Sequence, residues 1–317
     1  MERPLLISHR GASGYRPEHT LEAYALGAEM GADAIEPDLV PTRDGHLIAR
    51  HENEISETTD VARHPEFADR RTTKVIDGVE HTGWFTEDFE LAEIRTLKAS
   101  ERLPHLRPES AAYDGQFGIP TLAEILDHVR QLEAEHGRAI GVYPEIKHPA
   151  YFASLGLDLE PRVVGALATA GYRKRSDLAW IQSFELASLR ALRDLTDLRL
   201  VYLVDFPDGD GLTPDALAEI VPVADVLGPH KHLVVPLGED GALASPTTLV
   251  RDAHATGLEV HPWTVRAENV FLPPALRSSA NDAGHGDLAA EVRALVAARV
   301  DGLFSDHPDL AAAALGR

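Results

Sequence analysis

The stretch Pro4-Leu5-Leu6-Ile7-Ser8-His9-Arg10-Gly11-Ala12-Ser13-Gly14 sets the pattern that the whole chain repeats. A short apolar run stops at polar residues and glycines, the signature of a buried strand feeding a loop. A second apolar run, Ala32 to Val40, is interrupted by Glu36 and Asp38, and a third, Leu47-Ile48-Ala49-Arg50, ends at His51. Side chains two apart on a strand share a face, so Glu36 and Asp38 converge on one point. Like charges so placed repel unless a cation lies between them.

Between the first two runs, Glu18 to Gly31 places Leu21, Ala25, Leu26 and Ala28 at helical spacing and stops at a glycine. A strand–helix–strand unit of this length implies parallel strands joined by a right-handed crossover. The alternation resumes with a helix over Thr121 to Glu135, and strands follow at Ala139 to Tyr143, Leu178 to Ile181, Leu198 to Val204, Asp225 to Gly228, Glu259 to His261 and Asp301 to Phe304. Helices are predicted at Glu160 to Ala170, Leu186 to Leu195, Pro214 to Val221, Pro246 to Thr256, Leu288 to Arg299 and Pro308 to Leu315, with Leu233-Val234-Val235 in a loop. Eight strands alternating with helices predict an α/β fold, a closed (β/α)8 TIM barrel spanning 1–317 as one domain.

Residues 52–118, 67 positions, break the alternation. They are polar, dotted with aromatics, and show one short helical pattern at Thr86 to Leu97. Removing them leaves about the 250 residues a barrel of this kind needs. A segment this long without regular structure reads as a functional cap or lid inserted after the second strand region.

His9, Glu36, Asp38, His51, Glu145, Lys147, Gln182, Trp263 and Asp306 all fall at or just beyond the end of an apolar run. In a closed barrel those ends meet on the face that carries active sites. Glu145-Ile146-Lys147 repeats the same-face spacing of Glu36-Pro37-Asp38, bringing a third carboxylate and a fixed positive charge. Three carboxylates without a His or Cys ligand suit a hard divalent cation, Mg²⁺ or Ca²⁺. Imidazoles titrate near neutrality, so His9 and His51 are natural proton carriers, and Arg10 offers a planar fork for phosphate oxygens. Glu18 either orients Arg10 or binds substrate, or serves as an N-terminal helix acid; Trp263 is placed to pack on the substrate or in the core.

His9-Arg10-Gly11-Ala12, Pro17-Glu18-His19-Thr20, Glu36-Pro37-Asp38 and His51-Glu52 together resemble the glycerophosphodiester phosphodiesterase family, and the tract His51 to Asp60 is similar to its bacterial periplasmic-type branch. The resemblance covers nearly the whole chain. It implies the same barrel, a Glu36/Asp38/Glu145 metal site, a His9/His51 catalytic pair, and hydrolysis of a small glycerophosphodiester to sn-glycerol 3-phosphate and an alcohol. On that reading Arg10, Glu18, Lys147, Gln182 and Trp263 bind substrate or its phosphate. Two positions depart from the family pattern. Glu52 stands where many members carry Asp, and Pro37 lies inside a strand, which requires a position with no needed N–H bond. Alternatives are phospholipase D-like cleavage of lysophospholipids, which needs an apolar groove, and a non-catalytic barrel that binds glycerol phosphates.

Composition narrows the partners. A net charge of −21 disfavours nucleic acid and anionic membranes, so local cations must draw in a phosphodiester. With no cysteine, disulfides, thiolate nucleophiles and Cys-held metals are excluded. No apolar run approaches the ~20 residues needed to span a bilayer, so stable membrane insertion is not expected. Met1-Glu2-Arg3-Pro4 leads straight into the first strand, predicting a cytoplasmic protein or the mature form of an exported one. Nothing in the sequence specifies an oligomeric state.

Overall fold

A computed structural model of the chain describes residues 3–206 and 211–317; Met1 and Glu2, within the predicted start, lie outside the described residues. The first strand, β1 (Leu5–His9), pairs in parallel with β2 (Ala34–Glu36), which continues past Pro37 as β3 (Asp38–Pro41). β4 (Leu47–Ala49) folds back on β3. Beyond the insertion, β7 (Gly141–Val142) and β8 (Glu145–Ile146) form one stave broken at Tyr143-Pro144. The remaining staves are β9 (Trp180–Ser183), β10 (Arg199–Val204), β11 (Val226–Pro229), β12 (Glu259–Val260) and β13 (Gly302–Ser305). Neighbours pair in parallel around the ring, and β13 pairs with β1. The ring closes between β12 and β13, where Asp301 N donates to Val260 O at 2.9 Å and Phe304 N to Pro262 O at 3.1 Å. Among the described residues this makes eight staves, the TIM barrel the alternation predicts.

Two apolar clusters account for its layers. Ile7, Ala34, Tyr143, Trp180, Val201, Leu203, Val226 and Phe304 fill the barrel interior, while the outward-facing residues of the staves pack under the helices. Gly141 is required there, since a Cβ would lie 2.9 Å from the ring of Trp180. Local chemistry fixes the helix ends. Thr20 caps Leu21–Glu29 by accepting from Ala23 N, and Thr121 with Glu124 forms a reciprocal capping box on Leu122–His136, which ends at left-handed Gly137. Glu18 thus precedes the helix cap and is not the dipole-stabilised helix acid of the sequence alternative.

The insertion departs from expectation. Between Thr72 and Gly83 it carries a regular antiparallel hairpin, β5 (Thr72–Ile76) and β6 (Val79–Gly83), turning at Asp77-Gly78. The helix expected over Thr86 to Leu97 is reduced to a 3₁₀ turn, Thr86–Asp88, and a single turn, Leu91–Ile94. Ile55, Val61, Phe67, Trp84, Phe89, Ile94 and Leu97 are buried and continuous with the barrel's outer core. The insertion is therefore packed structure, and Trp84 and Phe85 lie inside it. Leu233 and Val234, expected in a loop, belong to one helical turn, Lys231–Val234.

Candidate active site

The two broken staves place the acids. His9 and Glu36 are register partners on β1 and β2, and Asp38 and Glu145 are register partners on β3 and β8. Pro37 is tolerated because β1 ends at His9, so no neighbour needs its N–H; its carbonyl still accepts from Glu145 N at 2.9 Å. One carboxylate oxygen from each of Glu36, Asp38 and Glu145 lies within 4.8 Å of the other two, all three residues buried. Asp38 Oδ1 is buried without a hydrogen-bond partner. Burial, then the charges of Asp38 and Glu145, pushes Glu36 well above the usual carboxylate range. Burial, with Asp38 beside it, lifts Glu145 to about 8 against the pull of Lys147. Asp38 is held well below that range by Lys147, Arg10 and His19 in spite of its burial. Three crowded carboxylates, one with an unsatisfied oxygen, form a donor set that fits a hard divalent cation.

Cations frame this trio. Arg10, at φ +58, donates its backbone N to Glu36 at 2.8 Å, sets Nε 3.2 Å from Asp38 and directs one terminal nitrogen to Glu18 at 3.2 Å. Arg102 from the insertion holds the same Glu18 at 3.1 Å. Gly11, at φ +83, lets the loop pass against the first helix, where a Cβ would sit 2.6 Å from the backbone of Ala23. Lys147 Nζ lies 2.8 Å from Glu145 and 4.0 Å from Asp38. Gln182, a substrate-binding position by the resemblance, donates to Glu36 at 2.9 Å and so steadies a carboxylate of the trio. Trp263 is half-buried and donates to Gly228 O at 2.8 Å; its ring meets Phe184 edge-on.

The two sequence-predicted histidines are built alike. His9 Nδ1 lies 2.6 Å from Asp306, and His51 Nδ1 lies 2.9 Å from Glu52. A carboxylate at Nδ1 keeps the proton there, leaving Nε2 as the reactive nitrogen of each ring. His51 does not arrive on a parallel stave, as the run of apolar residues before it suggests. β4 runs antiparallel to β3, with Leu39 opposite Ala49, and returns the chain to the level of Asp38, whose carbonyl accepts from Arg50 N at 3.0 Å. Burial and the charge of Arg10 lower His9 to about 4; burial, Arg10 and Lys147 lower His51 to about 3, so both rings are neutral in the free protein.

Several supporting residues are not evident from the sequence. Arg107 from the insertion, with an almost fully buried side chain, bonds Glu268 and Asp306, each at 2.6 Å, and Ser13 O at 2.9 Å. Arg266 reaches Asp306 at 2.8 Å. His19 spans Tyr24 at 3.0 Å and Asp38 at 2.9 Å. Only His19 leaves a readable trace, inside the Pro17–Thr20 motif. Among the described residues no helix is long and apolar enough to cross a membrane.

Comparisons with known proteins identify the family and the fold. Residues 9–310 match the glycerophosphoryl diester phosphodiesterase family. A glycerophosphodiester phosphodiesterase of Arabidopsis thaliana is 38% identical over 295 residues, covering 85% of this chain and 76% of its own length. That of Haemophilus influenzae is 30% identical over 299 residues, covering 83% and 79%. Among solved structures, an Oleispira antarctica phosphodiesterase in complex with the product sn-glycerol-3-phosphate shares the fold at TM-score 0.65 and 20% identity, over 99% of this chain and 98% of that one. A glycerophosphodiester phosphodiesterase from Agrobacterium tumefaciens does so at TM-score 0.63 and 21% identity, over 98% and 99%. From the motifs at the barrel mouth to the match along almost its full length, the chain belongs to the glycerophosphoryl diester phosphodiesterase family.

Proposed function

We propose that the chain hydrolyses glycerophosphodiesters to sn-glycerol 3-phosphate and an alcohol, using Glu36, Asp38 and Glu145 to hold Mg²⁺ or Ca²⁺ and His9 and His51 as the acid–base pair. The observation that carries this reading is the matched pair of imidazoles, each tied by a carboxylate at Nδ1, beside a buried carboxylate trio. A bound divalent cation supplies Lewis-acid polarisation of the phosphate. The chain's own residues supply the rest. Arg10 and Lys147 hold non-bridging phosphate oxygens, with Glu18 orienting the Arg10 guanidinium. Glu18 stays ionised in that role because Arg10 and Arg102 outweigh its burial.

Cleavage needs one base at the attacking oxygen and one acid at the leaving alcohol. Two neutral rings in the free protein mean that one takes up a proton as the anionic diester binds and later passes it to the departing oxygen; the other accepts the proton of the attacking group. Asp306 and Glu52 stabilise whichever ring becomes positive. Gln182 and His19 keep Glu36 and Asp38 in place. Trp263 and exposed Phe184 offer an apolar edge to the glycerol or its alcohol.

Of the insertion aromatics that could cover an acyl chain, Trp84 and Phe85 are core residues, and partly buried Phe117 stacks on Tyr113, which disfavours the lysophospholipid alternative. The purely binding alternative requires a lost catalytic position, and every one is present. The test supplies glycerophosphocholine and lysophosphatidylcholine with Mg²⁺ or Ca²⁺ and measures glycerol 3-phosphate and choline. Glycerophosphocholine is cleaved, chelation abolishes the activity, and His9→Ala and His51→Ala each lower kcat by about 10²- to 10⁴-fold while cation binding persists. Near-normal turnover by either variant overturns the acid–base assignment.

A further inference from the structure

His51 stands at the end of a line of charged groups that leads into the insertion. Its Nδ1 lies 2.9 Å from Glu52 Oε1, and the other oxygen of Glu52 lies 2.9 Å from His148 Nε2. The second nitrogen of His148 lies 2.5 Å from Asp77 Oδ2. Asp77 is 71 residues away in sequence and sits at the tip of the β5–β6 hairpin. With carboxylates at both ring nitrogens, His148 must donate from both, so it is an imidazolium between two anions.

The backbone around these residues is shaped for the contact. Asp77 and Gly78 have φ of +50 and +81, the paired left-handed conformation of a two-residue hairpin turn that favours Asp-Gly. His148 follows Lys147 directly and has φ +47, uncommon for a residue with a Cβ. The hairpin is held near its base as well: Lys74 Nζ lies 2.9 Å from Glu87 and 2.8 Å from Asp88, and Tyr151 OH donates to Glu87 at 2.7 Å. The tip is thus fixed in place against the barrel loop that carries Lys147.

We propose that Asp77, His148 and Glu52 form a positioning chain for His51, through which the insertion sets the orientation and tautomer of a proton-transferring group. Asp77 fixes the ring of His148, His148 fixes Glu52, and Glu52 keeps the His51 proton on Nδ1 so that Nε2 faces the phosphodiester. Asp77 and His148 touch no substrate; they act through His51. This rests on the reading of His51 as a proton carrier. It also gives a role to Glu52, whose two carboxylate oxygens reach His51 and His148 at once.

Asp77→Gly keeps the turn conformation and removes the carboxylate; His148→Asn keeps a residue tolerant of positive φ and removes the imidazolium. Each is assayed with glycerophosphocholine beside His51→Ala. The expected result is a fall in kcat of about 3- to 10-fold for Asp77→Gly and about 10- to 100-fold for His148→Asn, with KM within twofold, and no further loss when His148→Asn is added to His51→Ala. In ¹⁵N-histidine spectra the His51 ring, identified by its absence in His51→Ala, changes from a single Nδ1–H tautomer to a mixture in both variants. Wild-type kcat in Asp77→Gly and His148→Asn, with His51→Ala inactive, overturns the chain and leaves the function intact. Activity in His51→Ala overturns the reading beneath it. A loss carried by KM, with the His51 tautomer unchanged, assigns these residues to cap stability and overturns the proposal as well.

Discussion

Glu145→Gln should make the cation-free protein more stable, although it removes a charge that Lys147 contacts at 2.8 Å. Burial and Asp38 lift Glu145 to about 8, against about 4.3 in an unfolded chain. The folded-state pKa is raised, so folding takes up a proton, and stability is lost as pH rises from the unfolded toward the folded value. At pH 7 that loss is on the order of 3 kcal/mol; near pH 4.5 it is about 0.6 kcal/mol. Glutamine is isosteric with the protonated acid and escapes the loss. Because the trio titrates jointly, the proton belongs to Glu36 and Glu145 together, and a gain of about 2–3 kcal/mol at pH 7 is the realistic expectation. Urea unfolding in EDTA at pH 5, 7 and 8.5 reads it directly: the variant gains little at pH 5 and progressively more toward pH 8. Added Mg²⁺ or Ca²⁺ reverses the ranking, because it stabilises wild type by mass action and the variant far less. A variant less stable than wild type at pH 7 in EDTA, or an advantage independent of pH, refutes the claim that crowding strains this trio.

Arg107→Ala leaves buried Glu268 and Asp306 short of a partner and should cost about 3–5 kcal/mol of stability by urea unfolding, with kcat lowered through Asp306 and His9; a cost under about 1 kcal/mol refutes the role. His9 and His307 are each lowered to about 4, chiefly by burial, so the unfolded chain binds more protons below pH 6.5 and stability falls as pH drops toward 4. For the two together the loss between pH 6.5 and 5 is about 3 kcal/mol, best read in Glu145→Gln, where the opposing gain from the trio is reduced; a flat profile there refutes it. Thr121→Ala removes the capping box of Leu122–His136 far from the chemistry, costing about 1 kcal/mol of unfolding free energy at unchanged kcat.

Much of this architecture is written locally. Apolar runs ending at His9, Asp38, Glu145 and Gln182 announce staves because a buried parallel strand needs few polar residues until it leaves the barrel. Even the short sixth stave, Val226–Pro229, is visible for that reason. Spacing gives two of the three acids, since a period of two puts Glu36 and Asp38 on one side, and Glu145 joins them through its register with Asp38. The hairpin turning at Asp77-Gly78 is not read from the sequence, because its polar, largely exposed strands lack the apolar alternation that marks a strand with a buried face. What sequence does not supply is pairing over long separations. Arg107 meets Asp306 across 199 residues and His9 meets Asp306 across 297, distances over which no periodicity acts. His51 is identifiable by its residue type, but its antiparallel return is not, because a three-residue apolar run carries no direction.

The insertion is clamped to the barrel on two sides, by Arg107 at the Asp306 end and by Asp77 and Glu87 near Lys147, where they meet His148 and Tyr151. Swinging it aside would break the buried Arg107 pairs, at about 3–5 kcal/mol, so an opened form amounts to less than about one molecule in a hundred. In the populated form residues 52–118 wall one side of the barrel mouth, through Arg102 on Glu18 and Arg107 on Asp306. Exposed Phe184 and Phe206 stand just past the ends of β9 and β10, so the apolar part of the rim is carried by the barrel's own loops.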